Sequence, residues 1–135
     1  MKFIVYADGA SRGNPGPSAI GASIQDETGQ ELAIVSARLG FGTNNQAEYR
    51  AAIEGVRRAR SLGATAIELR LDSELIVRQL IGRYRVKNAA LLPLFTTLVR
   101  ELEATGPYSV GHVARERNKR ADALANAALD GKAPD

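Results

Sequence analysis

Residues 2–38 read KFIVYADGASRGNPGPSAIGASIQDETGQELAIVSAR, three β-rich runs broken twice by turn formers. Residues 2–7 alternate and are rich in β-branched and aromatic side chains, which predicts a strand. Residues 8–18, DGASRGNPGPS, are dense in Gly, Pro, Asn and Ser and predict a turn. A second strand is predicted over 19–25, a hairpin turn at DETGQ over 26–30, and a third strand over 31–38. Connections this short make neighbouring strands antiparallel, so the stretch is a meander.

The period then changes. After GFGTNN, apolar residues recur at Tyr49, Ala52, Ile53, Val56 and Ala59, one stripe of a helix. Asn44 or Asn45 is the expected cap at its start, and Gly63 its stop. IELRL at 67–71 has room only for a short strand. Ser73 caps a second predicted helix over 74–81. Leu91, Leu94, Phe95, Leu98 and Leu102 mark a third, which ends before Gly106-Pro107. Residues 108–113 predict the last strand. Residues 118–129 predict the last helix, with Ala121, Leu124, Ala125 and Ala128 on one face. Strands joined through helices run parallel. The predicted fold is therefore α/β, a five-stranded mixed sheet with helices packed on its faces. One domain spans 1–130, and residues 131–135 form a frayed tail.

The bulk properties agree with one domain. The chain has 135 residues, 44% of them apolar, enough for a single core without staples. No stretch approaches the roughly 20 apolar residues of a membrane span, so no membrane partner is expected. The start runs straight into an apolar strand with no small-residue cleavage site, which sets the cytoplasm as the expected compartment. The absence of cysteine excludes disulfides and thiolate zinc sites. A net charge of +3 says little alone. The cations cluster, however: Arg78, Arg83, Arg85 and Lys87 in one group, Arg115, Arg117, Lys119 and Arg120 in another. Such groups are either solvated faces or footprints for a polyanion.

Four acids stand at element ends. Asp8 follows the first predicted strand and Asp72 the fourth. Glu48 is read in the first turn of one helix and Asp122 near the start of another. Singly, Asp8 reads as a turn opener, Glu48 as a capping acid, Asp72 as a cap and Asp122 as a first-turn acid. Sites in open α/β sheets form at the carboxyl ends of strands, so Asp8 and Asp72 converge if their strands are neighbours. Four carboxylates in one pocket repel each other and require cations. Hard divalent ions with oxygen ligands, magnesium or manganese, answer that requirement. Two such ions roughly 3.5–4 Å apart suit phosphoryl chemistry.

Four stretches together carry a signature: YADGASRGNPGP at 6–17, TNNQAEYRA at 43–51, LRLDSELIVRQL at 69–80 and VARERNKRADALAN at 113–126. In this order and spacing they resemble the ribonuclease H type 1 family over nearly the whole chain. The likeness is to its compact bacterial and archaeal branch, because the chain between the second and third predicted helices leaves no room for a basic protrusion. The resemblance implies a ribonuclease H-like fold. It implies an endonuclease that hydrolyses the RNA strand of RNA–DNA hybrids with two Mg²⁺ ions, Mn²⁺ being a substitute, and leaves 5′-phosphate and 3′-hydroxyl ends. A non-catalytic hybrid-binding module, or another nuclease of the same superfold, is the alternative. A monomer is expected.

By motif, the resemblance makes Asp8, Glu48, Asp72 and Asp122 the catalytic, metal-binding acids, with Asp8 between both ions and Glu48 toward the RNA 2′-hydroxyl. It places Gly9, Ser11, Asn14, Asn44 and Asn45 among substrate contacts. Amides that both donate and accept suit a 2′-hydroxyl and the base edges beside it. Gly9, Gly13 and Gly16 let the backbone turn and approach a strand closely. Thr43 resembles a residue that holds a DNA phosphate, and the resemblance implies the same pocket for Asn88. Many members carry a mobile histidine ten residues before the last aspartate, with a role in product release. His112 has that spacing, but HVARERN lacks the usual proline, with Ala114 in its place. His112 then reads as a strand-end residue, and Arg115 as the loop residue near the leaving phosphate. The sequence leaves both open.

Overall fold

Residues 1–133 are described by the structure, a computed structural model. The chain runs β1 (Lys2–Ser11), β2 (Gly16–Gln25), β3 (Glu31–Gly42), α1 (Asn44–Ser61), β4 (Ala66–Leu71), α2 (Glu74–Leu80), α3 (Leu92–Thr105), β5 (Tyr108–His112), a 3₁₀ turn (Arg115–Arg117) and α4 (Lys119–Leu129). The sheet order is β3-β2-β1-β4-β5. β1, β2 and β3 are antiparallel, and β4 and β5 add in parallel on the free edge of β1. This is the mixed sheet the sequence predicts.

The meander strands outrun their predicted ends. Residues 8–18 are not one turn: β1 continues to Ser11, β2 begins at Gly16, and only 12–15 turn. The ladder explains this. Asp8 faces Gly21 and Ser11 faces Ser18 across the pair, and the Arg12 N–H reaches the Pro17 carbonyl at 2.8 Å. Cross-strand pairing overrides the local turn chemistry of Gly and Ser. β3 likewise runs to Gly42, held by pairing of Gly16 with Gly42.

Thr43, not Asn44 or Asn45, caps α1. Its hydroxyl accepts from the Gln46 N–H at 3.1 Å, and the Gln46 side chain accepts from the Thr43 N–H at 2.9 Å. This reciprocal pair satisfies two donors that a helix start leaves open. Gly63 has φ +100 and stops the helix as predicted. Ser73 caps α2 through the Ile76 N–H. At the chain's end, the N–H groups of Gly131 and Lys132 bond back to Ala128 and Ala127 at 3.2 and 2.8 Å. These two residues, assigned to the tail, thus close α4; residues 134–135 lie outside the described residues.

Helices cover both faces. On one, Phe3, Val5, Ala7, Ala22 and Ile24 meet Tyr49, Ile53 and Val56 of α1 and Leu98 and Leu102 of α3 in the main core. On the other, α4 lies so close that a Cβ on Gly21 would sit 2.2 Å from the Ala121 carbonyl. Neighbouring strand residues point to opposite faces, so Ala22 touches α1 while Gly21 admits α4. Burying each large aliphatic side chain contributes about 1.5–3 kcal/mol. Both helix docking events matter to the site, since α1 carries Glu48 and α4 carries Asp122.

Candidate active site

Ala7 of β1 pairs with Leu71 of β4 in parallel register. The next residues, Asp8 and Asp72, therefore leave the sheet side by side. The condition that their strands be neighbours is met because α1 carries the chain back to the free edge of β1. Glu48 arrives from the helix side. It lies beyond the first turn of α1, and its burial corrects the reading as a capping acid; Gln46 does the capping. Asp122 sits in the first turn of α4, as read from the sequence.

One oxygen each from Asp8, Glu48 and Asp72 lie within 4.8 Å of one another. Asp122, exposed, interacts with Asp8 from the rim. Burial lifts the Asp8 carboxyl from its ordinary 3.8 to about 7, with the charges of Asp72 and Asp122 adding to the rise and a bond to Glu48 opposing it. Burial also pushes Glu48 well above the usual carboxylate range, helped by its bond to Asp8 and the charges of Asp8 and Asp72. Glu48 Oε2 is buried without a hydrogen-bond partner among the described residues. An all-oxygen donor set with an orphaned carboxylate oxygen fits a hard divalent cation, which would relieve both the repulsion and the lost hydrogen bond.

The acids line an open cavity of about 460 Å³. Gly9 and Ser11 of β1, Asn44 and Asn45 of α1, and Arg115 line it as well. Relieved of capping, the Asn44 and Asn45 side chains make no hydrogen bond among the described residues, so both amide ends are available. Asn14 lies outside the cavity lining; its Oδ1 accepts from the Asn44 N–H at 3.1 Å and ties the β1–β2 turn to α1. Thr43 lines a neighbouring hollow with Ser18, Phe41, Gln46 and Arg50. Asn88 is not among the residues of either, and its Oδ1 accepts from the Ala90 N–H at 2.8 Å ahead of α3.

His112 and Arg115 separate. His112 is the last residue of β5, with Nε2 3.2 Å from the Asp72 backbone oxygen. Its ring lines a different hollow, with Glu74, Arg78, Ile81 and Arg83. Arg115 lines the acid cavity.

Two further residues were not singled out from sequence. Asn126 donates from Nδ2 to the carbonyl and Oδ1 of Asp122 at 2.9 and 3.2 Å. Its signal was the four-residue spacing from Asp122 on a helix. Asn118 is buried and donates to Asp72; the sequence predicts it as the first residue of the last helix, which in fact begins at Lys119, and no local signal marked its amide.

Residues 6–128 match the family model described as reverse transcriptase-like. Ribonuclease H of Chromohalobacter salexigens is 31% identical over 143 residues, which take in 96% of this chain and 85% of that protein. The chain belongs to the ribonuclease H family. Solved ribonuclease H structures share its fold throughout. RNase H1 of Halobacterium salinarum superposes with a TM-score of 0.95 at 41% identity, covering 97% of this chain and 99% of that one. LC11-RNase H1, solved in complex with an RNA/DNA hybrid, gives 0.91 at 41% identity, covering 96% and 97%. Some curated relatives are longer: the chain spans 37% of the length of three of them and 63% of another. Among the described residues of this ribonuclease H family chain, no helix is long and apolar enough to cross a membrane.

Proposed function

We propose that the chain is an endonuclease that hydrolyses the RNA strand of RNA–DNA hybrids with two divalent cations, leaving 5′-phosphate and 3′-hydroxyl ends. The observation that carries the reading is the trio of carboxylate oxygens within 4.8 Å, one residue of it holding an orphaned buried oxygen, in a chain of this family. Asp8, Glu48 and Asp72 would hold the cations, Mg²⁺ or in its place Mn²⁺, with Asp122 completing the set. Bound there, such ions lower the pKa of an attacking water and offset the charge that builds on the phosphate.

The remaining residues bind and orient. Asn44 and Asn45 present free amides at the cavity edge, suited to a 2′-hydroxyl and the base edges beside it. Asn14 keeps its Nδ2 and Thr43 its hydroxyl hydrogen after their structural bonds, so each still has a donor to offer. Asn88 likewise keeps Nδ2 for a phosphate of the DNA strand. Gly9 and Ser11, which line the cavity beside the acids, would border the bound strand, and Arg115, in the same lining, would meet the leaving phosphate. Arg83, Arg85, Lys87, Arg117 and Lys119 have no carboxylate partner among the described residues, whereas Arg78 pairs with Glu74 and Arg120 with Glu31. Unpaired cations in these two groups suit nucleic-acid phosphates. A cytoplasmic monomer is the setting we propose for this activity, on the sequence reading alone.

The test is a labelled RNA–DNA hybrid incubated with Mg²⁺ or Mn²⁺, with DNA–DNA and RNA–RNA duplexes of the same sequence beside it. Cleavage confined to the RNA of the hybrid is expected, and Asp8→Asn should abolish it. A variant as active as the parent would overturn the assigned chemistry.

A further inference from the structure

Asn118 stands between the 3₁₀ turn and α4, in the position of a helix cap, and is only 1% exposed. Its side chain makes no cap bond. The amide nitrogen instead donates to the Ala7 carbonyl at 3.0 Å and to Asp72 Oδ2 at 3.0 Å. Ala7 is the residue before Asp8, and it pairs with Leu71, the residue before Asp72. One NH₂ group thus bridges β1 and β4 at the point where they release the two acids. The Asn118 backbone carbonyl meanwhile accepts from the Asp122 N–H at 3.1 Å. A single residue touches the frame of three of the four carboxylates.

We propose that Asn118 is a positioning residue, whose buried amide holds the Asp72 carboxylate in the orientation that binds a divalent cation. The proposal rests on the functional reading above and names a residue that acts through Asp72. Both partners of the amide are acceptors, so only the NH₂ end can face them, and this fixes the orientation of the group. Asn118 Oδ1 is left buried with no partner among the described residues. The fold therefore forgoes a helix cap and buries an unpaired carbonyl, both unfavourable, in order to aim two donors at this junction. A neutral donor on one oxygen of a carboxylate keeps its charge, sets its rotamer and leaves the second oxygen for a cation. No other common side chain of this size does so. Aspartate has no donor at neutral pH, serine has one, and alanine leaves both acceptors bare. The main chain of Asp72 is held separately by β4 and by His112 at its carbonyl. Loss of the amide should then disturb the carboxylate more than the strand.

The experiment measures Mg²⁺ and Mn²⁺ binding to the substrate-free chain by calorimetry, for the parent, Asn118→Ala, Asn118→Asp and Asn118→Ser. Circular dichroism checks the fold, and steady-state cleavage of hybrid is measured beside it. Asn118→Ala should lose about 10- to 100-fold in cation affinity, while the KM for hybrid at saturating metal changes by less than about threefold. Asn118→Ser, with one donor left, should recover part of the loss. Asn118→Asp, which places like charge against Asp72, should lose most. Serine carries the test if the alanine variant does not fold. Folded variants that bind cation within about twofold of the parent would overturn the proposal even if their activity fell. A parent that binds no cation or leaves the hybrid intact would sink the functional reading itself, a distinct outcome.

Discussion

Gly9 of β1 lies so close to Ala47 of α1 that a Cβ on Gly9 would sit 2.3 Å from the Ala47 carbonyl carbon and 2.4 Å from the Glu48 nitrogen. This approach seats the Glu48 backbone against β1, beside Asp8. Gly9→Ala must push the start of α1 outward. We expect a loss of about 1–3 kcal/mol in stability, the usual cost of overpacking. Divalent-cation affinity should fall with it, because Glu48 moves away from its partners. Denaturant unfolding and calorimetric titration of the same variant check the two effects.

Asp8 governs a pH dependence in the metal-free chain. Its carboxyl holds a proton to about pH 7 when folded, against an ordinary value of 3.8. The folded state therefore binds more protons than the unfolded state between those values. Its stability is fully present below about pH 4 and is lost as pH rises through 7. Glu48, raised in the same direction, adds to the trend. Asp8→Asn removes the main source. At pH 8 without metal it should be more stable than the parent, on the order of 2 kcal/mol or roughly 5–8 °C in Tm, and equal to it at pH 4. Magnesium should stabilise the parent at pH 8 and not the variant. A parent whose metal-free Tm rises from pH 4 to 8 relative to Asp8→Asn would contradict this.

Arg115 lines the acid cavity and His112 does not. Arg115→Ala should lower steady-state turnover roughly tenfold, with a smaller change in single-turnover cleavage, as expected of a residue that acts at product release. His112→Ala should change both by less than about threefold. A large steady-state loss confined to the histidine variant would reverse the assignment.

Arg83, Arg85 and Lys87 are exposed and have no carboxylate partner among the described residues, whereas Arg57 is tied to Glu54 and Glu101. Each phosphate contact removed lowers the slope of log affinity against log salt by about 0.9. Replacing all three by glutamine should flatten the slope for hybrid binding by about 2.7 units, with kcat nearly unchanged. Arg57→Gln should leave the slope as it is. Equal slopes for the parent and the triple variant would remove this loop from the substrate footprint.

Much of this was legible along the chain, for reasons that are local. The stripe Tyr49, Ala52, Ile53, Val56, Ala59 specifies a helix because 3.6 residues complete a turn, whatever the helix packs on. Ser73 and Gly63 cap and stop helices by bonds and dihedrals within a few residues. The four acids were marked by motif and by their places at element ends. Other features were not local. The strands through 8–11 and 16–18 form because their backbones pair with each other, against what Gly, Pro and Ser favour alone. Thr43 won the cap over two asparagines because Gln46 was placed to complete the pair. Asp8 and Asp72 meet only because β4 docks in parallel beside β1, a choice made by burial of the whole sheet face. Asn118 read as the first residue of the last helix, and its amide found Ala7 and Asp72 across 111 and 46 residues of chain. Short-range geometry, written in spacing and side-chain type, determined which elements form; the depth of the acids, their raised protonation and the donor between them came from long-range packing, which no window of sequence contains.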